Sequence, residues 1–379
     1  MQGIKGFIQE HLGRPLESVL DSSSFLLSGM RALWQSFLLT LLPAAIALLV
    51  VVPLALLTKS ANVDIHVVTH RASFTLLEGW QSGQDVELLH SAQVKRVHLW
   101  IDSLELSPKE LIDEDRNGAA ITTPRIQLRS RQDPHSNHWV EFEAKTGTLV
   151  LSEIRLTAIS KVEIYKNAET VKLEMAPRDR VTGEISLNGP VSLNVNDYEI
   201  FDSEGRRLSG VEDDQQHFEF TPAIDPIHFS SKERVDLQLE VSGKEENFLG
   251  MFSDFLLVRR LVFPPGSGET ALPIEEGSVG FRDIQKPRIE LKASFLEIPR
   301  DDVMEIVTIG AKSGALDVTA SGRVRSLKTG MVPGPDNEEL PNLLEWLYQN
   351  QKLGIIIGVL VWVSGTVLGA VRLVGELRK

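Results

Sequence analysis

Val171-Lys172-Leu173-Glu174-Met175 places three apolar side chains on one side of an extended chain and two charged ones on the other. Successive side chains of a β-strand point to opposite faces, so this period of two marks a strand with one face on a core and one on solvent. The same alternation returns in Val235, Leu237, Leu239 and Val241, and in Ile289, Leu291, Ala293 and Phe295. Ile185 and Leu187, then Val191, Leu193 and Val195, flank Asn188-Gly189-Pro190, a turn signal between two short strands. From about Val63 to Leu327 the pattern repeats between Gly, Pro, Asn and Asp punctuation, while helical periods are scarce. These residues predict a mainly β region of antiparallel sheets, sandwich-like or barrel-like, and argue against a doubly wound α/β enzyme fold. The length of the region suggests two β modules, residues 58–210 and 211–335. The boundary falls where Gly205, Gly210 and the polar run Glu212-Asp213-Asp214-Gln215-Gln216 break the strands. No repeat of fixed length stands out, so a solenoid or propeller is not expected.

Two apolar stretches frame this region, residues 36–57 without a charged residue and residues 353–374 with only Arg372. Each has about 22 residues, enough for a helix rising 1.5 Å per residue to cross a hydrocarbon core of about 30 Å. They are expected as two transmembrane α-helices, with Pro43 and Pro53 tolerated inside the first. A cleaved signal peptide fits poorly, because Thr58-Lys59-Ser60-Ala61 makes no convincing small-x-small site. Residues 1–35 read as a tail with an amphipathic helix, Ile4, Phe7, Ile8 and Leu12 sharing one face, suited to a membrane surface. Pro341 opens a juxtamembrane helix within residues 336–352, whose Trp346 and Tyr348 suit the head-group belt. Residues 375–379 form a second short tail.

Each tail region carries three basic residues, Lys5, Arg14 and Arg31 at one end and Arg372, Arg378 and Lys379 at the other. The inner flanks offer only Lys59 and Lys352. The positive-inside rule then puts both termini in the cytoplasm and the central region outside. Cysteine is absent and no asparagine stands in a glycosylation acceptor. These features fit a two-pass protein of a bacterial inner membrane with a periplasmic central domain. The whole chain carries −13. Its tails sum to zero and +2, which leaves about −15 for the middle. Such a domain repels nucleic acid, so the expected partners are the lipid bilayer, another envelope protein or further copies of this chain.

Motifs of covalent chemistry are missing: there is no GxSxG elbow, phosphate loop, GxGxxG, HExxH or thiol. His66 and His70, and His135 and His138, are close in sequence but lack a third ligand at metal spacing. Asp113, Asp115, Asn117 and Gly118 resemble the first half of an EF-hand calcium loop, after a helix-like turn at Pro108-Lys109-Glu110-Leu111-Ile112. Position twelve of that loop is Pro124 where a bidentate Glu is needed, so the segment reads as a solvated acidic turn. Calcium is the only cofactor this sequence suggests, and the expectation is none. Phe248, Phe252 and Phe255 recur at helical spacing and are read as a helix that plugs the core or touches lipid. Gly354, Gly358, Gly365 and Gly369 form two small-xxx-small pairs on one stripe of the second apolar stretch, a helix-packing pattern. The chain is therefore expected to be a non-enzymatic, membrane-anchored binding or scaffold protein of the cell envelope. Handling of lipid or another hydrophobic ligand is the alternative.

Overall fold

The computed structural model describes residues 45, 48–77, 85–113, 119–121, 123–131, 138–145, 149–157, 159–167, 169–187, 189–208, 215–222, 227–241, 250–263, 273–299, 302–331, 337–350, 352, 354, 357–359, 361–363, 365–366 and 369. Two compact units divide the chain: Ser60–Leu340, and Met1–Lys59 with Pro341–Lys379.

Ser60–Leu340 is built from strands. They begin with β1 (Ala61–Thr69), β2 (Arg71–Leu76), β3 (Val86–Trp100), β4 (Ser103–Leu106), β5 (Pro108–Asp113), β6 (Ala119–Ala120), β7 (Ile126–Ser130) and β8 (Trp139–Ala144). Next come β9 (Leu149–Leu156), β10 (Lys161–Asn167), β11 (Thr170–Ala176), β12 (Val181–Ser186), β13 (Val191–Asn196), β14 (Tyr198–Asp202), β15 (Gln215–Pro222), β16 (Ile227–Ser231) and β17 (Val235–Val241). The last are β18 (Leu256–Phe263), β19 (Glu276–Phe281), β20 (Ile289–Leu291), β21 (Phe295–Glu297), β22 (Met304–Lys312), β23 (Ala315–Val324), β24 (Lys328–Gly330) and β25 (Asn337–Glu338). Every pairing between them is antiparallel, as the alternating pattern requires. The mainly β reading is therefore correct.

Alternation becomes burial directly. Val171, Leu173 and Met175 of β11 are fully buried, and Lys172 and Glu174 lie between them on the outer face. Val235, Leu237 and Leu239 of β17 do the same beside them. Phe142 and Phe220 meet edge to face in the core at 6.5 Å between ring centroids, a favoured aromatic geometry.

The long strand β3 joins two parts of one ladder. On one side its Val94–Trp100 segment pairs with β17, which continues through β11, β10 and β2 to β18. β18 pairs with β22, β22 with β23 and β23 with β1. Because β1 runs into β2 through His70, the strands β1, β23, β22, β18 and β2 close a circuit. The other side of β3 takes β9 along Val86–Val94 and β8 along Arg96–Leu99. The same pairing in two segments repeats outward, β12 on β9 with β13 on β8, then β16 on β12 with β15 on β13. Among the described residues, Lys95, Lys145, Leu187, Gly189 and Pro190 mark the line where the two segments of this meander join. Gly189 at φ +105° and Pro190, which has no N–H to give a ladder, mark that line on the β12–β13 chain. The expected turn signal does separate two short strands, β12 and β13, which pair with different neighbours; Asn188 itself lies outside the described residues. Strands β14, β7 and β4 form a separate small sheet.

Several expectations need correction. The ladder crosses the proposed module boundary at Gly205–Gln216, since β13 pairs with β15, β12 with β16 and β11 with β17, and Ser60–Leu340 is one compact unit. Gln215 and Gln216 of that run open β15, and residues 209–214 lie outside the described residues. Pro108–Ile112 is strand β5, not a helix turn, because Leu111 and Ile112 pair with Phe220 and Glu219 of β15. The run Ile289–Phe295 is two strands, broken where Ala293 takes φ +50°. The helix expected over Phe248–Leu257 is not formed in its described part: Phe252 bridges to Leu89, and Leu256 and Leu257 begin β18. Aromatic spacing of three and four imitated a helix on a segment that tertiary pairing draws into the sheet.

In the second unit, α1 (Leu343–Gln349) forms where Pro341 predicts a short helix. The Asn342 side chain caps it, accepting from the Glu345 N–H at 2.7 Å. Residues 48–56 are helical, as are 354, 357–359, 361–363, 365–366 and 369. No helix of the described residues is long and apolar enough to cross a membrane. Residues 36–44 of the first apolar stretch, and the amphipathic helix expected in residues 1–35, lie outside the described residues.

Gly183 of β12 offers a test of the register. It faces Phe229 of β16, and a Cβ placed on it would overlap the Phe229 ring. Gly183→Ala is expected to destabilise the chain by about 1–3 kcal/mol through overpacking. The cost should shrink markedly in a Phe229→Ala background, read as the shift in urea midpoint across the double-mutant cycle.

Candidate functional site

β17, β3, β8, β13 and β15 lie side by side, and their register aligns Gln238, His98, Glu141, Asn194 and His217 in one row. The residues that alternate with them, among them Leu99, Val140, Phe142, Leu193 and Phe218, are buried, so the row lies on the outer face. Side chains of directly opposed residues approach closely enough to bond. His98 Nδ1 donates to a Glu141 oxygen at 3.3 Å, and Asn194 donates its amide N–H to the other oxygen at 2.9 Å. His217 Nδ1 donates in turn to the Asn194 amide oxygen at 2.7 Å. The hydrogen bond from His98 holds the Glu141 carboxyl below the ordinary carboxylate range, overcoming the desolvation of a half-buried site.

Aromatic rings flank the row. Trp100 stacks on the His98 imidazole at 4.1 Å and 20°, and Trp139 lies against it at 4.7 Å. With Nδ1 donating, the Nε2 atom of a neutral ring keeps its lone pair, and here that atom is buried without a hydrogen-bond partner. Two residues along the same strands, Arg96 lies between Glu143 at 2.7 Å and Glu240 at 3.7 Å, and also reaches Glu141 at 3.7 Å. One guanidinium thus serves three carboxylates. The face combines indole surface with a hydrogen-bonded row of imidazole, carboxylate and amide groups in which His98 Nε2 stays unpaired, a set suited to non-covalent recognition.

A second outer-face network covers β2, β10, β11 and β17. Glu163, Glu174 and Asp236 are cross-strand neighbours, which places three like charges in line. Arg71, Lys161, Lys172 and Arg234 offset them. Burial alone would raise the Glu163 carboxyl, yet hydrogen bonds from Lys161, Arg71 and Tyr165 outweigh it and hold the group at about 2. Burial and the hydrogen bond to Glu163 push the Tyr165 phenol well above its ordinary value.

The residues singled out from sequence do not converge. Asp113 ends β5, nearly buried and opposite Phe218 and Ala119, while Asp115 and Asn117 lie outside the described residues. Among the described residues no group of three His, Cys, Asp or Glu is placed to hold a metal. His66 pairs with Asp317 and His70 with Glu275, each at 2.8 Å, so the two are separate surface pairs. His138 approaches Asp102 at 3.7 Å, and His135 is outside the described residues. Phe252 is 2% exposed and Phe255 63% exposed, which places them in different environments; Phe248 is outside the described residues. A Cβ added to Gly354, Gly358, Gly365 or Gly369 would meet no atom within 4 Å. The glycine stripe is therefore not packed against the described part of its own chain. The His98 row escaped sequence reading, although Arg96-x-His98-x-Trp100 and Trp139-x-Glu141-x-Glu143 both show polar and aromatic residues on one face of a strand. Its signal was register, which one sequence does not contain. No family model matches the chain, and no curated protein matches it.

The Glu163 network sets a pH dependence. A carboxyl with a native value near 2 and an ordinary value of 4.5 contributes stability that is complete above about 4.5 and is lost as pH falls toward 2. Urea midpoints measured from pH 6 down to about pH 2.5 should fall more steeply for the natural chain than for Glu163→Gln. Parallel slopes would contradict the network.

Proposed function

We propose that this chain is a membrane-tethered, non-enzymatic binding or scaffold protein that displays residues 60–340 outside a bacterial inner membrane. The observation that carries this reading is a backbone tie between the end of the first apolar stretch and the segment that leads into the second. Lys59 N–H donates to Pro341 O at 2.9 Å, Leu343 N–H donates to Leu57 O at 2.7 Å, and Thr58 bridges Asn342. The chain thus leaves the first apolar stretch beside Pro341–Leu343, where the short helix leading toward the second begins, an arrangement that suits a domain inserted between two membrane helices. The exposed Tyr348 and the half-buried Trp346 beside the tie suit the head-group region.

A binding role is supported by the outer face of the meander, where charged groups are occupied by one another and two indoles flank His98. The partner is an envelope protein or a further copy of this chain. The lipid-handling alternative loses the helix on which it rested, because Phe252 is buried and Leu256 begins a strand.

Fusions to a reporter active only outside the cytoplasm test the topology. A fusion after Gly205 should be active and one after Lys379 inactive; the reverse would overturn the orientation. For the binding face, Trp139→Ala with His98→Ala should abolish cross-linking to one stoichiometric partner in cells while leaving the thermal midpoint within a few degrees. Unchanged cross-linking would remove this face from the function.

A further inference from the structure

Lys59 and Lys352 both place their ammonium groups on the indole of Trp346, at 5.0 and 4.9 Å from the ring centroid. Two cations on one neutral ring is an unusual concentration in a chain of net charge −13. Other lysines of this protein that lie over an aromatic ring also reach an acid, Lys286 to Glu339 at 2.7 Å and Lys172 to Glu174 at 2.8 Å. Among the described residues no carboxylate lies within ion-pair distance of Lys59 or Lys352, even though the exposed Glu345 is on the same short helix as Trp346. The Trp346 Nε1–H is also buried without an acceptor. Both lysines are positioned by backbone bonds, Lys59 N–H to Pro341 O and Lys352 N–H to Leu347 O, each 2.9 Å. The site therefore has two uncompensated cations and one uncompensated donor, held in fixed places.

Its place in the sequence says which anion belongs there. Lys59 follows the first apolar stretch by two residues and Lys352 immediately precedes the second. On the membrane reading proposed above, on which this inference rests, both ammonium groups lie at head-group depth. Lysine at that depth binds anionic lipid, and indole favours the same layer. We propose that Lys59, Trp346 and Lys352 form a binding site for the phosphodiester head group of an anionic phospholipid. The two ammonium groups accept the phosphate charge between them, with the indole as the apolar floor against the glycerol backbone.

The test uses the full chain in lipid nanodiscs made of phosphatidylcholine alone or with added phosphatidylglycerol. Phosphatidylglycerol should raise the thermal midpoint of the natural chain and remain bound in native mass spectra. Lys59→Gln with Lys352→Gln should weaken that retention about thirtyfold, the combined effect of two lysines near an anionic surface. Lys109→Gln with Lys232→Gln, an equal charge change at exposed residues of the strand domain, should leave retention unaltered. Lys59→Arg with Lys352→Arg should keep the preference, which guards against a fold defect in the Gln pair. Equal retention by the Gln pair and the control pair would overturn the site. Stabilisation by inorganic phosphate in phosphatidylcholine discs, to the same extent as by phosphatidylglycerol, would overturn the lipid assignment. Release of the natural chain from cell membranes by alkaline carbonate would overturn the membrane reading and this site with it, whereas retention without phosphatidylglycerol dependence overturns the site alone.

Discussion

β3 runs for 15 residues and is paired on both edges, by β17 along Val94–Trp100 on one side and by β9 and then β8 on the other. An unpaired backbone amide buried in a sheet costs about as much as a lost hydrogen bond, so these ladders cannot be left half made. Through them β3 fixes the register of the meander on one side and of the β17-to-β18 series on the other. A shift of one residue along β3 would turn His98 and Arg96 inward and Val97 and Leu99 outward. The core and the polar row therefore depend on the same set of backbone bonds.

The outer face is acidic by composition yet locally balanced. Glu163, Glu174 and Asp236 stand in line across three strands, and like charges directly opposite each other are destabilising unless offset. Arg71, Lys161, Lys172 and Arg234 interleave with them, whereas Arg96 alone stands among Glu141, Glu143 and Glu240. The Lys59–Trp346–Lys352 cluster is the opposite case, positive charge with no carboxylate of the described residues within ion-pair distance, at a place where a membrane surface is proposed.

Much of the strand content was legible because burial on one face demands a period of two: Val171, Leu173 and Met175 could be assigned inward from sequence alone. Helix α1 was legible from Pro341 and the apolar residues after it. Three features were not. Phe248, Phe252 and Phe255 carry helical spacing, but Phe252 bridging to Leu89 and Leu256 pairing with Ile306 are long-range contacts that override it. The polar run before Gln216 looked like a domain boundary, although β13 and β15 on either side of it pair. The His98 row depends on which strands are neighbours, and no local pattern reports that Glu141 faces Asn194.

The proposed insertion of the domain between two membrane segments rests on the pairing of Thr58 with Asn342 where the chain enters and leaves it. The natural chain lacks cysteine, so Thr58→Cys with Asn342→Cys creates a single reporting pair. Facing residues of an antiparallel bridge have Cα atoms about 4.5–5.5 Å apart, within disulfide range. In native membranes washed with alkaline carbonate, mild oxidation should convert this variant to a faster-migrating monomer that reductant restores. An unlinked chain in the membrane pellet would contradict the tie, and a chain recovered in the wash would contradict the membrane anchoring.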